Sequence, residues 1–288
     1  MDLTIDKKIA VALRRIIMQN IPHYCFNEIM IYKNTTLLDN DHLKKRIKNI
    51  PVENLFIDVK NLKQIDQNII INNDFNIDNN SLDQIQIKCN KKYNIENNAI
   101  LQSVTTDDFE FFLNKKQIQN PYKYKIKLVD LKYENDELNF SAFTSINIPL
   151  KNINYSISET PILITSEKKQ KLFIYPISNY ITSKKILKNA IYILKVKLNN
   201  LLSNLKENKD IKEGKIIINN DLFTLGYLLS YFLNKEKDIA FCSINTKTLI
   251  EKDSHLNFSL TKNSKKGIYN ITENIIKNIN NDLDQIIV

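Results

Sequence analysis

The chain has 288 residues, which is enough for one large domain or two of moderate size. Apolar residues make up 43% of it, so a substantial core can form, and no apolar run reaches the roughly 18 residues of a membrane span. The net charge of +9 fits contact with nucleic acid or an acidic partner, but lysine and asparagine are abundant throughout and no basic arm stands out. The N-terminus is charged from the start and lacks a secretory apolar segment, so we expect a soluble intracellular protein.

Patterns that carry enzymatic or metal chemistry are missing from the sequence. The three cysteines lie far apart and the three histidines are isolated, which argues against a sequence-encoded zinc site and against a disulfide framework. The chain has too few glycines for a phosphate-binding loop, and no nucleophile elbow or zinc-protease motif is present. We therefore expect no catalytic, cofactor-binding or metal-binding residues. The glycines are Gly214, Gly226 and Gly267.

The first fifty residues predict a helix, a strand and a second helix. Apolar residues recur at helical spacing over 7–20, and alternation with many isoleucines predicts a strand over 24–33. The segment "DHLKKRIKN" follows, and Asp39 or Asp41 is placed to cap it as a short helix.

Between residues 54 and 155 the sequence pattern changes to short apolar segments separated by asparagine-rich segments. This pattern predicts a β-rich region with polar turns, in which "NLFIDV" and "NIIINN" are among the expected strands. A further strand is predicted over 171–178.

The clearest predicted helix covers residues 183–206 and has a narrow apolar seam with nearly coiled-coil spacing. The charged segment 207–213 has the composition of a linker, and the remainder predicts the order β-α-β-β-α, with helices over 222–234 and 266–286. The last helix has a second seam. The seam residues are Leu187, Ile191, Leu194, Leu198, Leu201 and Leu205 in one helix, and Ile268, Ile271, Ile275, Ile279, Leu283 and Ile286 in the other.

The two ends of the chain repeat each other. When "KIAVALRRI" is placed over "TLGYLLSYF", Ala10 falls on Gly226, and the arginine pair Arg14 and Arg15 falls on a serine and a tyrosine. Each short helix is followed downstream by a long seam-bearing helix. Alone, each unit would expose a large apolar face, so we expect the units to pair with each other. A short linker makes that pairing intramolecular, at an effective concentration on the order of millimolar.

The residues at both ends resemble a known family. "ALRRIIMQNIPHYCFNEIMIYKNTTLLDNDHLKKRIKNIPV" is similar to the opening of the RNA polymerase assembly subunit, a family that comprises bacterial α, the archaeal D protein and the third-largest subunit of eukaryotic polymerase II. "KLFIYPISNYITSKKILKNAIYILKVKLNNLL" resembles the closing strand and helix of that family. "INNDLFTLGYLLSYFLNKEKDIAFCSI" resembles its smaller partner, the archaeal L protein or the eukaryotic eleventh subunit. Such fusions occur in large DNA viruses. The chain departs from the family at Val11, Phe223 and Tyr227.

The resemblance implies an α+β fold with two α/β dimerisation units, similar to the bacterial α N-terminal domain and paired within the chain. Residues 1–53 and 156–206 would form the first unit, 54–155 an inserted β-rich domain, 207–213 a linker and 214–288 the second unit. The pairing interface would be formed by seam residues and by the "TLG" helix start: Leu187, Ile191, Leu194, Leu198, Leu201, Thr224, Leu225, Gly226, Leu229, Ile268, Ile271, Ile275 and Ile279.

The resemblance also implies a non-catalytic subunit of a DNA-directed RNA polymerase, which docks the second-largest, the largest and small polymerase subunits. DNA would be contacted only through the complex, and neither a membrane nor a homo-oligomer would be required. The implied location is a cytoplasmic viral factory or virion if the source is viral, and otherwise the site of transcription. Partner-binding residues would be Arg14, Arg15, Asn34 and Thr35, where an arginine fork suits acidic or carbonyl groups on the partner.

Two other classes of function remain open at this point. One is a basic nucleic-acid-binding module, for which Tyr122 and Tyr124 with Lys123, Lys125 and Lys127 are the only candidate cluster. The other is an enzyme with an unrecognised site, which the absence of motifs and of glycines disfavours.

Overall fold

The chain folds as a mixed α+β structure with four antiparallel sheets among the described residues. The expectation of an α+β class is therefore confirmed. The computed structural model describes residues 2–3, 5–53, 55, 57–75, 83–94, 100–165, 170–206, 211–221, 223–245, 253–264 and 266–286.

The N-terminal elements match the predicted helix, strand and helix. Asp6 caps the first helix through a 2.7 Å bond from the Lys8 amide, and Asp39, not Asp41, caps the second through the His42 amide. A short strand precedes the first helix. These elements are β1 (Asp2–Leu3), α1 (Lys7–Gln19), β2 (His23–Asn34) and α2 (Asn40–Lys48).

The segment after α2 forms two short helices where strands were expected. The prediction for "NIIINN" is wrong: these residues lie in α4, and no strand is found in the described part of "NLFIDV". Aspartates start both helices, Asp58 for the first and Asp66 for the second, each accepting backbone N–H groups. The helices are α3 (Val59–Gln64) and α4 (Gln67–Asn72).

A five-stranded antiparallel sheet forms most of the middle of the chain, in the order β2-β8-β3-β5-β6. Its core is aromatic, and Phe109 meets Phe140 edge-on with 5.4 Å between ring centroids. A separate pair joins β4 and β7. These strands are β3 (Ile85–Lys92), β4 (Gln102–Thr105), β5 (Phe109–Leu113), β6 (Lys116–Ile118), β7 (Lys127–Leu131) and β8 (Glu137–Asn147).

A small sheet of order β1-β10-β9 leads into the long helix α5. The strand expected over 171–178 ends early, at Phe173, and beyond it Pro176 makes only an isolated bridge with Ser158. Helix α5 matches its prediction closely, and Thr182 caps it through the Lys185 amide. These elements are β9 (Ile162–Thr165), β10 (Gln170–Phe173) and α5 (Ser183–Leu205).

The C-terminal part has the predicted order β-α-β-β-α and a sheet of order β11-β13-β12. The first strand begins at Glu213, inside the predicted linker, and residues 207–210 of that linker lie outside the described residues. The elements are β11 (Glu213–Ile218), α6 (Leu225–Leu233), β12 (Ile239–Asn245), β13 (Ser254–Leu260) and α7 (Ile268–Gln285).

The two ends of the chain share a plan and contact each other. In both, the first strand pairs antiparallel with the strand that precedes the long helix, β1 with β10 and β11 with β13. The long helices α5 and α7 pack together, and so do α1 and α6. The ends differ at one strand, because β12 stays in its small sheet whereas β2 pairs along its length with β8. Below, the first half is residues 2–206 and the second half residues 211–286, each within the described ranges.

Candidate docking surface at the arginine pair

The arginine pair lies half-buried on α1, where the two halves meet. The Nε of Arg14 donates to the carbonyl of Pro161 at 2.7 Å, just before β9. The Nη1 of Arg15 donates to the carbonyl of Phe223 at 2.7 Å, and its guanidinium lies over that ring, 5.7 Å from the centroid. These residues were predicted to bind a partner, whereas in the structure each has an acceptor inside the chain. Each guanidinium has five N–H donors, so one such bond leaves donors for a further contact.

Exposed apolar side chains flank the arginine pair on both sides. Phe223 stacks on Tyr227 with 6.1 Å between centroids, and these rings are 38% and 49% exposed. On the other side, the edge strand β9 exposes Ile162 and Ile164, at 51% and 54%. Exposed apolar groups beside cations are typical of a protein-binding surface. We call the surface of Arg14, Arg15, Ile162, Ile164, Phe223 and Tyr227 the arginine face.

Asn34 and Thr35, the other predicted partner-binding residues, are engaged within the chain. The amide of Asn34 donates to the Leu38 carbonyl at 2.8 Å, at the turn into α2. The hydroxyl of Thr35 donates to the Asn135 carbonyl and accepts from the Glu137 amide, both at 2.7 Å. These bonds stabilise the end of the β2–β8 pair. The two residues therefore have a structural role that was not predicted from the sequence.

The predicted seam residues lie in the core around the junction of α5, α6 and α7. Thr224 precedes α6 without capping it through its side chain, since Asp221 accepts the N–H groups there. A Cβ on Gly226 would collide with Cδ1 of Ile244 on β12, which explains the need for a small residue at this position. The following predicted interface residues are all buried: Leu187, Ile191, Leu194, Leu198, Leu201, Thr224, Leu225, Gly226, Leu229, Ile268, Ile271, Ile275 and Ile279.

Two charged residues at this junction were not among the predicted site residues. Lys197 is buried on α5 and Asp221 is buried just before α6, at 5% and 7% exposure. A signal was present, because Lys197 lies three residues after Leu194 and four residues before Leu201, on one helical face with these seam residues. Asp221 stands three residues before Thr224, a spacing typical of a helix cap.

The tyrosine–lysine segment considered for nucleic-acid binding does not form a continuous basic strand. Strand β7 begins only at Lys127. The hydroxyl of Tyr122 donates to the Pro51 carbonyl at 2.6 Å, and the ammonium groups of Lys125 and Lys127 pair with aspartates. These contacts use the groups that a phosphate backbone would need, so the segment lends no support to that alternative.

A cleft of about 390 Å³ lies between the end of α1 and the end of α2. The imidazole of His23 lines it at 4% exposure, and its Nδ1 has no hydrogen-bond partner within the described part of the chain. Burial lowers the pKa of His23 to about 4, so the ring is neutral at neutral pH. Burial also raises the pKa of the Cys25 and Cys89 thiols to about 12.

In the described ranges, no three His, Cys, Asp or Glu side chains come together as metal ligands. The same ranges contain no helix that combines the length and the apolar character needed to cross a bilayer.

No family model matches the chain, and no curated protein matches its sequence.

Proposed function

We propose that the chain is a non-catalytic assembly subunit of a multisubunit DNA-directed RNA polymerase. It would bind the second-largest and largest subunits and hold them in one orientation, while nucleotide addition takes place on those partners. We further propose that the two halves are dimerisation units related to the bacterial α N-terminal domain, paired within one chain. The motif resemblance described above suggests this function and its viral setting.

The observation that carries the proposal is the duplicated plan of the two halves together with the unequal surfaces they present. Both halves place a short helix between two paired strands and end in a long helix, and the long helices contact each other. Only the first half has an arginine pair on its short helix; the second half has Ser230 and Tyr231 there. The two halves would therefore present different side chains to two different partners, as an assembly platform requires.

The arginine face supports a docking role for the first of these partners. It combines two half-buried guanidinium groups with four exposed apolar side chains, and arginines and aromatics of this kind form the anchors of protein interfaces. The intramolecular bonds to Pro161 and Phe223 hold the guanidinium groups in fixed positions. Pre-positioned side chains lose less entropy on binding, which favours affinity.

The proposal is tested by recovering the tagged full chain from its native cells and identifying co-purifying proteins by mass spectrometry. Recovery of the two largest polymerase subunits in equal amounts is expected. Arg15→Ala should reduce the recovered second-largest subunit by about tenfold or more, since loss of one buried interfacial charge contact costs a few kcal/mol. Arg46→Ala is the matched control, because Arg46 makes one comparable bond to the Leu128 carbonyl but lies on α2, outside the arginine face. Absence of both large subunits at low salt would refute the proposal.

A further inference from the structure

Lys197 is a buried cation at the junction of the two halves. It lies midway along α5, and its Nζ donates to the Asn73 side-chain oxygen at 3.1 Å. Burial lowers the pKa of Lys197, while the negative charge of Asp221 opposes that shift. The ammonium therefore depends on a carboxylate supplied by the other half.

Asp221 is the matching buried anion on the second half. Its Oδ1 accepts the backbone N–H groups of Thr224 and Leu225 at 2.6 and 3.0 Å, at the start of α6. Burial raises the pKa of Asp221, and Lys197 is the strongest influence that opposes this shift. Each of the two charges thus favours the ionised form of the other across the junction.

Asn73 holds this pair in place from a third side. It caps α4 in the left-handed conformation, with φ of 55°, which asparagine tolerates better than most residues. Its Oδ1 also accepts from the Asn20 amide at 3.1 Å, and its Nδ2 donates to the Asn220 carbonyl at 3.1 Å. The network therefore joins the end of α1, the end of α4, α5 and the second half.

The repeated plan shows that the second half has no such cation of its own. When α5 is aligned with α7 without a gap, Ile186 matches Ile268, Ile193 matches Ile275 and Leu201 matches Leu283, and all six residues are buried. The same alignment places Lys197 over Ile279. If α7 of a second copy replaced α5, Ile279 would face Asp221, and a buried carboxylate would lack its counter-charge.

We propose that Lys197 and Asp221 specify the partner of each half, so that the second half accepts the first half and rejects a second copy of itself. Burial of an unpaired charge is far more costly than burial of a pair, which makes the contact selective even if it adds little stability. The inference rests on the pairing part of the proposed function and not on the polymerase partners.

A charge exchange between full-length chains tests this inference. In Lys197→Glu two acidic side chains meet at the junction, and in Asp221→Lys two ammonium groups meet. Each variant alone should melt on the order of 10 °C below the wild type or aggregate. The two variants are then co-expressed with different tags. If the first half of each chain pairs with the second half of the other chain, both junctions again contain one acidic and one basic side chain. We expect a 1:1 mixed dimer in sequential affinity purification and sedimentation velocity.

Two controls separate charge pairing from other effects. Lys195→Glu changes the ion pair with Asp284 on the same helices, in which Lys195 is half-buried and Asp284 is exposed. The variant should remain a monomer that melts within about 2 °C of the wild type, because a pair open to solvent contributes little. Asp221→Asn keeps a side chain that caps α6 while removing the charge, so it measures loss of the pair without loss of the cap.

The combined variant Lys197→Glu/Asp221→Lys in one chain should return to a monomer that melts above either single variant. The inference is overturned if the single variants remain monomers with wild-type melting. It is also overturned if co-expression gives no mixed dimer, or if the combined variant is no more stable than the single ones. None of these outcomes depends on whether a polymerase binds.

Discussion

Acidification should weaken the fold through His23. The ring is buried at the start of β2, its Nδ1 has no partner, and its pKa lies at about 4 instead of 6.5. The unfolded chain therefore binds a proton more readily than the folded one. The stabilising contribution of the neutral ring is complete above pH 6.5 and is lost as the pH falls from 6.5 towards 4. Between these limits the loss amounts to about 3 kcal/mol.

His23→Leu isolates this contribution, because leucine has no proton to bind and fills a similar volume. At pH 7.5 the variant should unfold within about 1 kcal/mol of the wild type, since an unpaired buried nitrogen adds no stability. Between pH 7.5 and pH 4.5, the free energy of unfolding of the wild type should fall by about 2.5 kcal/mol more than that of the variant. Urea unfolding followed by circular dichroism at the two pH values measures both differences.

His42→Leu is the matched control, because that ring is exposed on α2 beside Asp39. The His42→Leu variant should lose as much free energy of unfolding on acidification as the wild type does. If His23→Leu and the wild type lose the same free energy of unfolding between pH 7.5 and 4.5, the burial argument for His23 is refuted.

Three further substitutions test the packing. Gly226→Ala should lower the free energy of unfolding by about 1–2 kcal/mol in urea titrations, because the new methyl group meets Ile244; adding Ile244→Val should recover part of the loss, and no recovery would contradict this cause. Leu194→Ala should cost about 3 kcal/mol by the same assay, since the side chain is fully buried on α5, and a loss below 1 kcal/mol would contradict that burial. Tyr122→Phe should lower the melting temperature by a few degrees through loss of the bond to Pro51, and unchanged melting would show that water replaces it.

The elements that could be predicted from the sequence are those with a long, regular apolar pattern. Helices α1 and α7 bury one continuous stripe each, so their apolar spacing predicts them within a few residues. Helix α5 is also predicted within a few residues, but the prediction of a narrow seam is wrong, because its buried residues cover more than half of its circumference and include Asn189 and Lys197. Helix α4 was missed because three consecutive isoleucines in "NIIIN" fit a buried strand as well as a short helix, and the cap at Asp66 decided the outcome.

The candidate site was only partly predictable, because it depends on contacts between distant segments. The arginine pair was visible as two cations in an apolar helix, yet the carbonyl groups that hold it come from Pro161 and Phe223. Likewise, nothing local indicated that Lys197 and Asp221 would line one cleft, or that β2 would pair with β8. Periodicity reports which face of an element is buried, and it does not report what lies against that face.

The length of β2 has a mechanical consequence. This strand starts four residues after α1 and continues for 12 residues along the edge of the five-stranded sheet, paired with β8 over most of its length. Two register shifts interrupt the pairing, between Phe26 and Glu28 and between Ile31 and Lys33, and such irregularities bend a strand locally. The central sheet should therefore follow a movement of α1 through β2, and any bending between the two should occur at these two positions and not along the paired segments.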